Sequence, residues 1–140
     1  MKAYFQLALF TALFFLLWLP VFGLDQAPEV ESGTLNKWIT EHKELVLIDV
    51  GSQADFTEGH IPGSICLPFT VNFIEKTKSL PKEKTYILVC PTGGRSLRAA
   101  KLMIGSGFEK VYNLKGGVAD WIRKGFKVSK GEWIKKTEKK

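Results

Sequence analysis

Two stretches of this chain constrain its fold more than anything else in it. Leu45-Val46-Leu47-Ile48 and Tyr86-Ile87-Leu88-Val89 are unbroken apolar runs. A strand with one wet face alternates apolar and polar residues, whereas a strand covered on both faces has no need to. Both runs therefore read as strands at the centre of a sheet that is buried on each side. Each is followed by a helical stretch. Ser52 to Glu58 has room for one or two turns closed by Gly59. Ser96 is expected to cap a helix reaching about Ile104, with Leu97, Ala100 and Ile104 on one face.

The remaining segments repeat this alternation. Ser32-Gly33 precede Thr34, whose hydroxyl is expected to cap a helix to about His42, with Leu35, Trp38 and Ile39 at helical spacing. Pro62-Gly63 is a turn signal, and the short strand Ser64 to Leu67 that follows is ended by Pro68. Val71 to Lys78 reads as a helix with Phe73 and Ile74 inward. Val111 to Leu114 is a further strand, and Gly116-Gly117 opens a last helix carrying Trp121 and Ile122. Strands separated by helices give an α/β fold with a parallel sheet and helices on its faces. Ligands of such sheets sit beyond the carboxyl ends of the strands, which is where Cys90 stands. Topology alone also permits a flavodoxin-like arrangement, so the loop chemistry must decide.

A chain of 140 residues has the length of one domain. Its first part is set apart from the rest. Lys2 precedes an apolar run from Leu7 to Leu19 interrupted only by Thr11, then Pro20 and Val21-Phe22-Gly23. That order is a secretory signal over residues 1–23, leaving 24–140 as a single domain with a basic tail. The alternative is an uncleaved membrane anchor, although the run falls short of the roughly 20 residues that span a bilayer. The expected location is therefore periplasmic or secreted, with membrane attachment as the other possibility. Loss of Lys2 would take the formal charge from +6 to +5. In the tail, Lys127, Lys130, Lys135, Lys136, Lys139 and Lys140 face only Glu132 and Glu138, a run read as solvated. No nucleic-acid motif is present. His42 and His60 are isolated and no CxxC exists, so neither a metal nor a cofactor is expected. A monomer is the default state.

The loop Cys90-Pro91-Thr92-Gly93-Gly94-Arg95-Ser96 carries the chemistry. A cysteine at a strand end, before a glycine turn and a helix start, sits in a positive field. The glycines let backbone N–H groups converge into an anion-binding nest. The helix N-terminus and Arg95 add further positive charge. These terms favour the thiolate, which is the nucleophilic form. With no histidine next to it in sequence, activation is electrostatic rather than by a general base.

This loop and its flanks resemble the rhodanese family. Leu47-Ile48-Asp49-Val50, Asp55-Phe56 and Gly59-His60-Ile61-Pro62-Gly63-Ser64-Ile65 are similar to that family's first signature. Leu114-Lys115-Gly116-Gly117, Trp121 and Gly125-Phe126-Lys127-Val128 are similar to its last. The resemblance implies a five-stranded parallel sheet flanked by helices and a sulfurtransferase. In it, Cys90 would carry sulfur as a persulfide, taking it from thiosulfate or a similar small anion and giving it to cyanide or a thiol. Pro91, Thr92, Gly93 and Gly94 would cradle the sulfur, with Ser96 beside them, and Arg95 would hold the anionic donor. Two positions depart from the family pattern. Gly51 stands where arginine usually follows the Asp-Val pair, and Pro91 has no N–H to donate.

Other readings remain beside this one. Asp49 either lines the pocket or caps the next turn. His60 is read as holding its turn by a hydrogen bond. Cys66, between Ile65 and Leu67, is read as a small buried hydrophobe, though a bond to Cys90 would switch the enzyme off. Related phosphatases and arsenate reductases have five residues between cysteine and arginine, against four here. A rhodanese-like module that binds sulfur or a partner without catalysis is the other alternative.

Overall fold

The structure is a computed structural model, and it describes residues 26–41 and 43–131. The N-terminal segment read as a secretory signal, His42 and the lysines beyond Gly131 lie outside the described residues. In chain order the elements are β1 (Glu29–Val30), α1 (Ser32–Thr40), β2 (Leu45–Asp49), α2 (Gln53–Glu58), β3 (Ile65–Cys66), α3 (Phe73–Thr77), β4 (Thr85–Val89), α4 (Gly94–Gly105), β5 (Lys110–Leu114) and α5 (Gly117–Arg123). Five strands form one sheet in the order β1-β5-β4-β2-β3, with every pairing parallel. The α/β architecture with helices on both faces is as the sequence implied.

Successive residues of the central strand point to opposite cores. Tyr86, Leu88 and Cys90 join Ile48, Val50, Phe73, Ala99, Ala100, Met103 and Phe108 under α3 and α4. Ile87 and Val89 join Leu35, Leu47, Ile61, Leu114, Val118 and Trp121 under α1 and α5. Tyr86 through Cys90 are all at 0% exposure, which is why that run shows no alternation. The connections from β2 and from β4 lead to opposite sides of the sheet. Their carboxyl ends, at Asp49 and Val89, pair directly, so Cys90 emerges at this switch point.

Two local expectations are corrected, and one strand is added. Helix α1 starts at Ser32 behind Glu31, and Thr34 does not cap it. The Ser32 hydroxyl instead donates to Asp120 Oδ2 on α5 at 2.6 Å, tying the two helices of one layer together. Helix α4 starts at Gly94 behind Gly93, not at Ser96, because left-handed Gly93 (φ 90°) turns the chain into the helix earlier. Strand β1 was not legible in the sequence. Two residues show no periodicity, and only pairing with Asn113 and Leu114 makes them a strand.

Candidate active site

The β4–α4 loop wraps around a sulfur atom. Cys90 Sγ receives the Gly93 N–H at 3.1 Å, the Ser96 N–H at 3.4 Å and the Ser96 hydroxyl at 3.2 Å. That hydroxyl has a second acceptor in Gly93 O at 3.1 Å, so its single proton serves either the carbonyl or the sulfur. Two amides aimed at one sulfur, joined by the hydroxyl when its proton turns from Gly93 O, stabilise negative charge there, and the open end of α4 adds its dipole. Sequence reading assigned Ser96 to the helix cap and the binding loop; its direct contact with sulfur follows only from the geometry. Pro91 supplies no donor, and Thr92 is exposed. The whole of Cys90 is at 0% exposure, so a donor reaches the sulfur only if a covering group moves.

A second loop clamps the first. Val118 N–H donates to Cys90 O and Ala119 N–H to Pro91 O, both at 3.0 Å. This contact requires glycine at 117. A Cβ there would stand 2.1 Å from Cys90 O, and its φ of +62° is itself left-handed. Gly93 is similarly constrained, with Gly116 N at 3.1 Å from a would-be Cβ, whereas a Cβ on Gly94 would meet nothing within 4 Å. Of the loop's glycine pair, then, only Gly93 is sterically demanded.

Asp49 and Arg95 lie around this cradle in unequal roles. Asp49 is 2% exposed and accepts the Gly51 N–H at 2.8 Å, so it caps the turn after β2. Burial pushes its carboxyl above the ordinary range, partly offset by the Gly51 N–H. A Cβ on Gly51 would lie 2.9 Å from Asp49 Oδ1 and 3.2 Å from the Pro91 ring. The two departures from the family pattern therefore touch: a first side-chain carbon at 51 would displace the Asp49 carboxylate and press on the Pro91 ring. Arg95 Nη2 reaches Asp55 Oδ2 at 2.9 Å. Asp55 is also half of a reciprocal cap with Ser52, and these Ser52 contacts followed by Arg95 hold its carboxyl below the usual range. The Ser52-x-x-Asp55 spacing was a sequence signal for the cap, but nothing in it named Arg95 as a partner.

The other two flagged residues stand apart from the cradle. His60 Nδ1 meets Phe56 O at 2.8 Å, the ring stacks on Phe56 at 3.7 Å, and its backbone bridges Ser129. It holds its turn, as expected. Cys66 donates to Gln53 Oε1 at 3.3 Å, and burial raises its thiol. Both cysteines are free. Cys66, on β3, pairs with Asp49 of β2, and β2 separates it from β4. Two inter-strand spacings come to about 10 Å, beyond the reach of a disulfide, so oxidation to a Cys66–Cys90 bond is excluded while β2 stays in place.

Beside Pro91 lies an open cavity of about 290 Å³, bounded by Asp55, Glu58 and Gly59 on one side and Val118, Ala119 and Ile122 on the other.

Comparison with known proteins places this geometry. The family model described as "Rhodanese-like domain" matches residues 32–124, well over half the chain. A sulfurtransferase of Allochromatium vinosum is 28% identical over 100 residues, covering 71% of this chain and 92% of the relative. The putative sulfurtransferase YtwF of Bacillus subtilis is 33% identical over 93 residues, covering 66% and 88%. The crystal structure of a rhodanese-related protein from Thermoplasma volcanium superposes with a TM-score of 0.65 at 28% identity, covering 73% of this chain and 97% of that one. Sulfur transfer is the general activity that these similarities support. With the family's span covering both the cysteine loop and the glycine clamp that holds it, the chain belongs to the rhodanese-like domain family.

Proposed function

We propose that the protein is a thiosulfate sulfurtransferase that works through a persulfide on Cys90. The observation that carries this reading is the convergence of Gly93 N–H and Ser96 N–H on one sulfur, with the Ser96 hydroxyl 3.2 Å from it. In the first half-reaction the Cys90 thiolate attacks the outer sulfur of thiosulfate. The S–S bond of the donor breaks, sulfite leaves with its electron pair, and Cys90 keeps a terminal sulfur bearing negative charge. In this scheme the loop donors that favour the thiolate also stabilise the charge on that sulfur. In the second half-reaction a cyanide or thiol acceptor takes the terminal sulfur and the thiolate returns. A covalent intermediate of this kind gives ping-pong kinetics.

Arg95 is the cation for the anionic donor in this scheme. Its ion pair with Asp55 is half-exposed and so is open to competition. Arg95→Ala is expected to raise KM for thiosulfate about tenfold, with a smaller effect on kcat. The decisive experiment is the intact mass after thiosulfate, then after cyanide. One sulfur atom should be gained and then lost, and Cys90→Ala should gain none.

Full burial of Cys90 favours one alternative, a non-catalytic module whose cysteine stays closed. Failure of the wild-type protein to gain sulfur would select it. Export belongs to the same proposal: residues 1–23 act as a cleaved signal, and a mature N-terminus near Leu24 in the extracytoplasmic fraction is the expected result.

A further inference from the structure

The β5–α5 loop that clamps the Cys90 loop is braced from outside. Its turn is made of two left-handed glycines, Gly116 (φ +73°) and Gly117 (φ +62°), which bring no side chain to brace it. Val118 and Ala119 N–H hold Cys90 O and Pro91 O, and Gly116 N and Leu114 O lie 3.1 and 3.2 Å from where a Cβ on Gly93 would stand. The clamp thus touches both partners of the Gly93 N–H to sulfur contact. Its own support comes from the start of α1. Lys115 N–H donates to Val30 O at 3.0 Å, and Lys115 and Lys124 pair with Glu31 at 3.0 and 3.5 Å. Those ion pairs lie at the surface and are therefore weak. The Ser32–Asp120 hydrogen bond is of another kind, since Ser32 is wholly buried and the Asp120 side chain is only 13% exposed. A carboxylate accepting at 2.6 Å makes a charge-assisted bond, stronger than a neutral one. Lys124 and Arg123 also pair with this carboxylate, but neither belongs to α1. Asp120 is part of the clamp by its backbone as well. Its N–H donates to Gly116 O at 3.3 Å, and a Cβ on Gly116 would stand 2.7 Å from Asp120 Cβ. One residue joins the turn that grips Cys90 to the first turn of α1.

We infer that Asp120 is a positioning residue for sulfur transfer, acting through Ser32 to keep the α5 amides on Cys90 O and Pro91 O. This rests on the persulfide reading and adds a residue to its machinery. The route is short. Helix α1 holds Asp120 through Ser32, and the same turn of α5 presents Val118 and Ala119 N–H. Those amides fix two successive carbonyls, and with them the placing of Cys90 Sγ against Gly93 N–H and Ser96 N–H. A backbone shift at Cys90 lengthens or misaligns both sulfur contacts, and a hydrogen bond weakens with angle as well as distance. The consequence falls on the attack step. Negative charge on sulfur is what the two amides stabilise, in the thiolate and again on the transferred atom. Donor binding is untouched, because Arg95 sits on α4 and pairs with Asp55, outside the clamp. Asp120 therefore governs the rate at saturating thiosulfate and leaves the half-saturating concentration alone.

The test compares Asp120→Ala, Asp120→Asn, Ser32→Ala and the Ser32→Ala/Asp120→Ala double variant in the full chain. Sulfur loading from thiosulfate is followed by intact mass under single-turnover conditions, at a temperature where urea denaturation shows each variant folded. Loading is expected to slow about tenfold in Asp120→Ala and about threefold in Asp120→Asn and Ser32→Ala. The half-saturating thiosulfate concentration should stay within about twofold of wild type. Every chain should still gain one sulfur at long times, since a displaced cradle lowers the rate and not the end point. The double variant should be no slower than Asp120→Ala alone, because both changes remove the same tie. Unchanged loading in Asp120→Asn and Ser32→Ala, a raised half-saturating concentration in place of a slower rate, or multiplying effects in the double variant overturns the inference. Should Asp120→Ala not fold, Asp120→Asn and Ser32→Ala decide it. Wild-type protein that gains no sulfur sinks the persulfide reading instead. The rate of Cys90 alkylation by iodoacetamide, read on the peptide that contains it, then decides the positioning by the same ordering of variants.

Discussion

Two strand-to-helix turns stand side by side at the carboxyl edge of the sheet, and they use their helix starts in opposite ways. After β2, Ser52 caps α2 with its side chain: Asp55 N–H donates to Ser52 Oγ, and Ser52 N–H donates to Asp55 Oδ2. That turn satisfies its own donors. After β4, the cap position of α4 is Gly93, which has no side chain to offer. The amides left over at that helix start turn to Cys90 Sγ. A strand, a turn and a helix thus give either a closed corner or an anion cradle, and the deciding feature is whether a side chain fills the cap. The cradle around the sulfur thus comes from a cap without a side chain.

The comparison can be broken most severely from outside both turns. Gly117→Ala would drive a methyl carbon to 2.1 Å from Cys90 O. We expect a loss on the order of 3 kcal/mol or more in urea denaturation, together with loss of sulfur transfer. A stable, active Gly117→Ala protein would mean that the clamp does not fix the cradle.

Removing one donor from the β4 turn is the next largest effect. Ser96→Ala deletes the hydroxyl 3.2 Å from sulfur and should slow transfer about tenfold, measured under single-turnover conditions, with little change in melting temperature. The matching change in the β2 turn should do the reverse. Ser52→Ala is expected to cost about 1 kcal/mol of stability and to affect transfer less than Ser96→Ala does. If the two variants gave the same pattern, the contrast between a closed corner and a cradle would be lost.

The smallest effect concerns the carboxylate that holds the β2 turn. Asp49→Asn keeps an oxygen for Gly51 N–H and removes a charge that burial disfavours. Because the folded-state pKa of Asp49 is raised, ionisation weakens the fold above that pKa and protonation relieves the penalty below it. The variant should therefore melt higher at neutral pH, by on the order of a few degrees, with the gain fading as pH falls into the carboxylate range. Asp120 has the opposite sign. Ser32 first, then Lys124 and Arg123, hold its pKa at about 2, so its contribution is full above the ordinary carboxylate range and disappears as pH falls toward that value.

Much of this was readable from residues in order. The two apolar runs fixed the central strands, because burial on both faces removes alternation from the sequence itself. The glycines and Arg95 after Cys90 marked the loop, because a left-handed cap and a nearby cation leave local signatures. What the chain order could not carry were relations between segments far apart. Arg95 meets Asp55 across forty positions, Ser32 meets Asp120 across eighty-eight, and β1 exists only through β5. Gly51 and Pro91 looked like two separate departures until folding put one against the other. Whether Cys66 could reach Cys90 was likewise a matter of which strand came between them. Covalent order determines propensity, turn chemistry and the burial of a run. Proximity between distant positions, and with it the choice of partner for each charge and each sulfur, is decided only when the sheet assembles and the helices close on it.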